Sequence, residues 1–270
     1  MSLPIPRSSN TLVVTGMHRS GTSLLASALE QAGLSIGDRL LGATPSNPKG
    51  HFEDLDFVEW HEAVFADHGR TVYDAHEHGP LEISPQRRRE AQDLIDARQG
   101  RARWGFKDPR TCLFLDFWAS SMPAANFLFI VRSEREVVES LRRRGHRELQ
   151  RHFRGAWLLK RLGFEPWRRA KAHRWWRSYN AAILDFAQRH PDRCLVVELA
   201  MLPQQLPAAI AFIRHSWGLP LEDLELARVF EPRLLHGSTK GAPRRRWLPN
   251  GETRLLNGLR RFVAPFEPPG

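Results

Sequence analysis

A short β-branched strand, a glycine-bounded loop and an apolar helix lie near the N-terminus, and they constrain the fold of this 270-residue chain more than any other stretch. Thr11 to Thr15 is apolar and β-branched, which suits a buried parallel strand. Gly16-Met17-His18-Arg19-Ser20-Gly21-Thr22-Ser23 follows, and Leu24 to Leu29 reads as a buried helix. Such a loop brings backbone N–H groups and a helix N-terminus onto one anion, and glycine at both ends lets the backbone come close. A plain strand–turn–helix connection has little use for Gly, Arg, Ser, Gly, Thr and Ser together. The stretch is therefore read as an anion cradle.

The Gly-x-x-x-x-Gly spacing is that of a P-loop, but Thr22 stands where the lysine belongs, and the nearest cation is Arg19 inside the loop. His18-Arg19-Ser20-Gly21-Thr22 resembles the 5′-phosphosulfate loop of sulfotransferases that use 3′-phosphoadenylyl sulfate, where Lys or Arg precedes Ser-Gly-Thr. Two later stretches add to the resemblance. Trp104-Gly105-Phe106-Lys107-Asp108-Pro109 is a short strand that ends in charge, at the edge where parallel sheets bind ligands. It is similar to the Lys-Asp-Pro position of protein-tyrosine and related Golgi-type sulfotransferases, whose lysine assists the transfer. Phe127 to Val131 is a buried strand ending at Arg132, Ser133-Glu134-Arg135-Glu136 has a capping-box pattern, and Ser140 lies two turns into the helix that follows. Arg132 and Ser140 match the 3′-phosphate site of these enzymes, in which guanidinium forks the phosphate and a hydroxyl adds a hydrogen bond.

The resemblance implies a P-loop-NTPase-like three-layer α/β sandwich with a central, mostly parallel sheet flanked by helices. Pattern reading alone gives the same class, with buried strands at 11–15, 103–107, 127–131 and 194–198 separated by helices. It also implies that Gly16, His18, Arg19, Ser20, Gly21, Thr22 and Ser23 hold the donor's 5′ end. Arg132 and Ser140 would hold its 3′-phosphate, while Arg19 and Lys107 stabilise charge during transfer, with no metal needed. The base on the acceptor is expected just after the loop 37–50. Glu53 leads there, with Asp54 and His51 as rivals, although Glu53 and Asp54 could equally cap the helix that begins with Phe57, Trp60, His61, Val64 and Phe65.

The formal charge of +10 is local. Leu141 to Ser178 holds thirteen Lys and Arg against Glu148 and Glu165, and the rest of the chain is near neutral. With Phe153, Trp157, Phe164, Trp167, Trp175 and Trp176 interleaved, this segment could serve nucleic acid. The preferred expectation is a basic helical lid or acceptor-binding insertion at about 141–178 within a single domain spanning 1–270. It would favour an acceptor hydroxyl on an anionic glycan, lipid headgroup or other anionic metabolite over nucleic acid. A P-loop kinase or NTPase is the other alternative, weakened by the missing loop lysine and by strands that end in Lys107-Asp108, Arg132 and Glu198.

Cys112 and Cys194 lack metal spacing and are expected as reduced core residues. His61, His68, His76 and His78 are expected as solvated loop histidines, and Glu198 as structural. Further helices are expected over 86–99, 111–118, 175–188, 203–217 and 221–230. Lys240, in a glycine-bearing basic loop, is a guess for the donor's nucleotide end. No apolar run is long enough to span a bilayer, and Met1 to Asn10 lacks a signal-peptide core, so a soluble cytoplasmic protein is expected, with peripheral membrane association open.

Overall fold

The computed structural model describes residues 10–42, 50–74, 79–152, 164–225 and 250–264. Four strands form one parallel sheet: β1 (Thr11–Thr15), β2 (Trp104–Lys107), β3 (Asn126–Val131) and β4 (Cys194–Glu198), in the order β2-β1-β3-β4. Around them lie α1 (Thr22–Gln31), α2 (Leu55–Asp67), α3 (Pro85–Asp96), α4 (Leu115–Ser121), α5 (Glu134–His152), α6 (Phe164–Arg189), α7 (Leu202–Ser216) and α8 (Asn250–Leu259). All four strands read from the sequence are present, each within one residue of its expected bounds.

Strand alternation sorts the core into two faces. Val13, Phe106, Phe127, Phe129 and Val196 point to one side, where they meet Phe57, Trp60, Trp118, Trp176, Tyr179 and Phe186 from α2, α4 and α6. Leu12, Val14, Leu128, Ile130, Leu195 and Val197 point to the other, against aliphatic side chains of α1 and α7. Helices thus cover both faces, giving the three layers expected, and each fully buried Phe or Leu contributes about 1.5–3 kcal/mol. The first face is rich in aromatic residues, and the second is mainly aliphatic apart from Trp217.

Several local expectations need correction. The helix read over 111–118 is two pieces, a 3₁₀ turn at Pro109–Leu113 and α4. Asp108 caps the turn by accepting from the Arg110 N–H, which holds the chain in a tight 3₁₀ path before the helix can start. The helix read over 86–99 ends at Asp96, with turns on to Gly100. Leu221 to Glu225 carry no helix, and the rest of the helix expected there lies outside the described residues. His61 is not a solvated loop histidine. It is fully buried on the inner face of α2, while His76 and His78 lie outside the described residues.

Both cysteines are free and buried, and burial pushes each thiol up to about 12. Glu198 takes a two-point ion pair from Arg260 at 2.8 and 3.0 Å, in keeping with a structural part. Of the basic segment, the first residues extend α5 and the last belong to α6; residues 153–163 and the loop with Lys240 lie outside the described residues. Among the described residues, no helix is long and apolar enough to cross a membrane.

Candidate active site at the C-terminal edge of the sheet

Because the strands are parallel, Gly16, Asp108, Arg132 and the end of β4 emerge at one edge. Thr15 ties two of these ends together by donating to the Asp108 carbonyl at 2.8 Å. Gly16 sits so close to β3 that a Cβ there would run into the Ile130 carbonyl oxygen, which is main chain and cannot step aside. Gly16→Ala is therefore expected to lower the unfolding free energy by about 1–3 kcal/mol. Chemical denaturation checks this, and an unchanged midpoint would contradict it.

The loop is held under strain. Arg19 has a φ of 70° and Gly21 a φ of 96°. A left-handed conformation at Arg19 costs about 1–3 kcal/mol and persists only where the surroundings over-determine it. They do so at three points. Ser20 N–H donates to Met17 O at 3.0 Å, Arg132 Nη1 donates to Arg19 O at 3.1 Å, and Arg19 Nε donates to Ser140 Oγ at 3.0 Å. Arg19 is thus joined to Arg132 and Ser140, more than a hundred residues further along the chain, in one connected group. Ser20 Oγ is buried with no hydrogen-bond partner among the described residues, and so is Arg132 Nε, which has only a 3.6 Å ion pair with Glu136. Thr22 opens α1, and the next hydroxyl, Ser23 Oγ, donates to the His51 carbonyl at 3.1 Å.

His18 is placed differently from its loop neighbours. Its ring packs against Trp175 and Tyr179 of α6, at 5.3 and 6.0 Å between centroids, and its Nε2 is sealed from solvent without a partner among the described residues. Burial, with Arg110 beside it, lowers its pKa to about 3, so the ring is neutral. It can serve the cradle through its backbone, while its side chain belongs to an aromatic wall.

The candidate acid–base groups lie opposite. Lys107 is 1% exposed and its ammonium is fully engaged: 2.6 Å to Glu53 Oε1, 3.0 Å to His51 O and 3.4 Å to Ser23 Oγ. Lys107 and Asp108 do not pair with each other. Asp54 turns elsewhere. It accepts from Asp56 N at the start of α2 and from Arg98 Nη2 at 2.8 Å, so it is the helix cap. His51 is half-buried, and burial together with Lys107, Arg144 and Arg19 outweighs Glu53 in lowering its imidazole below the ordinary value. Of the two carboxylate candidates, Glu53 is paired with Lys107 and Asp54 with Arg98.

Two residues around Asp108, Arg110 and His61, escaped the sequence reading. Arg110 Nη1 reaches Glu53 Oε2 at 3.4 Å and Asp108 Oδ1 at 3.0 Å. Burial opposes the charge of both Arg110 and Asp108, yet Asp108 and Glu53 hold the guanidinium proton more tightly than usual. In turn, Arg110 and His61 hold the Asp108 carboxyl far below the carboxylate range. His61 Nδ1 stands 2.9 Å from Asp108 Oδ2. Arg110 directly follows Lys-Asp-Pro, and His61 sits on the apolar stripe of α2, where an imidazole must find partners. Both signals were there to be read.

A sulfotransferase domain from the curacin biosynthetic pathway superposes with a TM-score of 0.52 at 14% identity, covering 95% of this chain and 98% of that one, a likeness of fold. A sulfotransferase from Alicyclobacillus acidocaldarius gives 0.46 at 13% identity over 95% of this chain and 93% of that one. Sulfotransferase STF1 from Mycobacterium tuberculosis H37Rv gives 0.41 at 19% identity over 84% and 71%. No curated protein matches the sequence. Residues 11–223, most of the chain and all of the site just described, match the sulfotransferase family, and the protein belongs to that family.

Proposed function

We propose that this sulfotransferase moves a sulfuryl group from 3′-phosphoadenylyl sulfate to an acceptor hydroxyl, with Glu53 as the base. The observation that carries the reading is the linkage of Arg19 to both Arg132 and Ser140. One loop arginine is hydrogen-bonded to both residues matched to the 3′-phosphate site. The cradle also fits a donor with two phosphate ends: the buried Ser20 hydroxyl and Arg132 Nε lack hydrogen bonds among the described residues, as groups awaiting an anion would.

In the proposed reaction the acceptor oxygen attacks sulfur in line as the S–O bond to the 5′-phosphate breaks. The acceptor proton goes to Glu53, and adenosine 3′,5′-bisphosphate leaves. Gly16 to Ser23 would hold the 5′ end, Arg132 and Ser140 the 3′-phosphate. Arg19 and Lys107 would stabilise charge on the sulfuryl oxygens and leaving phosphate, fixed cations acting without solvent reorganisation. The surplus of arginine over 141–178 supports an anionic acceptor, such as an acidic glycan, lipid headgroup or small anionic metabolite.

Calorimetric titration tests this reading. Metal-free adenosine 3′,5′-bisphosphate is expected to bind, and Arg132→Ala to weaken it about 10- to 100-fold, the worth of a charge-assisted pair. A preference for magnesium-ATP, or an Arg132→Ala protein that binds as tightly as wild type, would overturn it.

A further inference from the structure

We infer that His61, Asp108 and Trp118 are positioning residues that hold Arg110 against Glu53. The inference rests on the reading of Glu53 as the base. The chain of contacts starts in the aromatic core. Trp118 Nε1 lies 2.9 Å from His61 Nε2. An indole N–H can only donate, so His61 Nε2 must present its lone pair, and the ring's proton is on Nδ1. Nδ1–H then donates to Asp108 Oδ2 at 2.9 Å. With Oδ2 filled, Asp108 Oδ1 is left for Arg110. It accepts from the Arg110 backbone N–H at 2.8 Å and from Nη1 at 3.0 Å. The same Nη1 extends to Glu53 Oε2 at 3.4 Å, while Nη2 is anchored on Glu62 at 2.8 Å.

His61, Asp108 and Trp118 are all completely buried. A core that needed only volume would put apolar side chains there, because buried charge gives little net stability over a well-packed apolar replacement. What the polar chain adds is direction. It fixes one tautomer, one carboxylate orientation and one guanidinium position, and the last link ends on the carboxylate proposed as base. Without the His61 donor, Asp108 would turn its unfilled oxygen toward Arg110, and the shared Nη1 contact with Glu53 would be the one to give way.

A double-mutant cycle between Arg110→Gln and Glu53→Gln reads this directly. Its coupling is measured by urea unfolding in three backgrounds: wild type, His61→Phe and His61→Asn. The coupling is expected to be about tenfold in the unfolding equilibrium constant in wild type. It should fall to within about twofold of none in His61→Phe and return in His61→Asn, whose amide can still donate to Asp108. If His61→Phe does not fold, Trp118→Phe, which removes the indole N–H together with part of a buried ring, is expected to reduce the coupling as well, the lost volume being common to every corner of the cycle. A coupling unchanged across the backgrounds would make His61 merely structural and overturn the inference. A coupling that behaves as expected beside a Glu53→Gln enzyme of full activity would instead refute Glu53 as base and leave the positioning chain standing.

Discussion

Glu53→Gln is expected to lower sulfuryl transfer by about 10²- to 10⁴-fold, the usual worth of a general base. Affinity for adenosine 3′,5′-bisphosphate should stay within about threefold, since the residues proposed to hold the bisphosphate are those of the loop, Arg132 and Ser140. The substitution also leaves Lys107 buried without its anionic partner, a change that costs about 3–5 kcal/mol when nothing else compensates. Here the amide oxygen, His51 O and Ser23 Oγ remain as acceptors, so the loss should sit at or below the low end. Melting and bisphosphate titration on the same preparation separate lost chemistry from lost fold. Asp54→Asn is the matched control. It removes a carboxylate one residue away that is bound to Arg98 and the α2 N-terminus, so stability should fall while turnover per folded molecule holds. Transfer by Glu53→Gln within tenfold of wild type, using any acceptor that wild type accepts, would place the base elsewhere.

The parallel sheet was legible because each strand is buried on both sides and carries its own signal. Leu12 to Val14, Phe127 to Val131 and Cys194 to Val197 are continuous apolar runs, followed closely by glycine or charge where the chain leaves the core. The motif residues were legible for a related reason. Chemistry at a strand end depends on local order, so Lys107 and Arg132 could be placed from their neighbours. What could not be read was pairing across the fold. Nothing in the sequence says that Arg19 Nε meets a serine more than a hundred residues away, or that Glu53 rather than Asp54 turns to Lys107. The choice between those carboxylates was made by Arg98, a buried residue in the turns just after α3. His61 was missed because four histidines close in sequence suggested a polar loop, although the 3.6-residue period of α2 put this one among Phe57, Trp60 and Phe65. Periodicity deserved more weight than proximity in sequence.

Acid should destabilise the protein well before its carboxylates titrate in bulk, and His18 supplies the reason. Its pKa is lowered from 6.5 to about 3, chiefly by burial and then by Arg110. Between those values the unfolded chain binds a proton at this residue and the folded protein does not. Unfolding is therefore favoured as pH falls, by about 1.4 kcal/mol per unit for one proton, or on the order of 3 kcal/mol by pH 4. Asp108 adds a second, lower window. Burial works against its charge, but Arg110 and His61 outweigh it and depress the folded value. Its contribution is thus present above about pH 4 and lost as pH drops below. Urea unfolding at intervals from pH 7 to 4 should show the midpoint falling first through the histidine window. His18→Phe keeps a ring against Trp175 and Tyr179 but cannot take a proton, so its stability should fall clearly less steeply over the same range, with His51 supplying part of the slope that remains. Equal slopes for wild type and His18→Phe would mean that the acid response has another source, and that the His18 ring reaches solvent when it needs to.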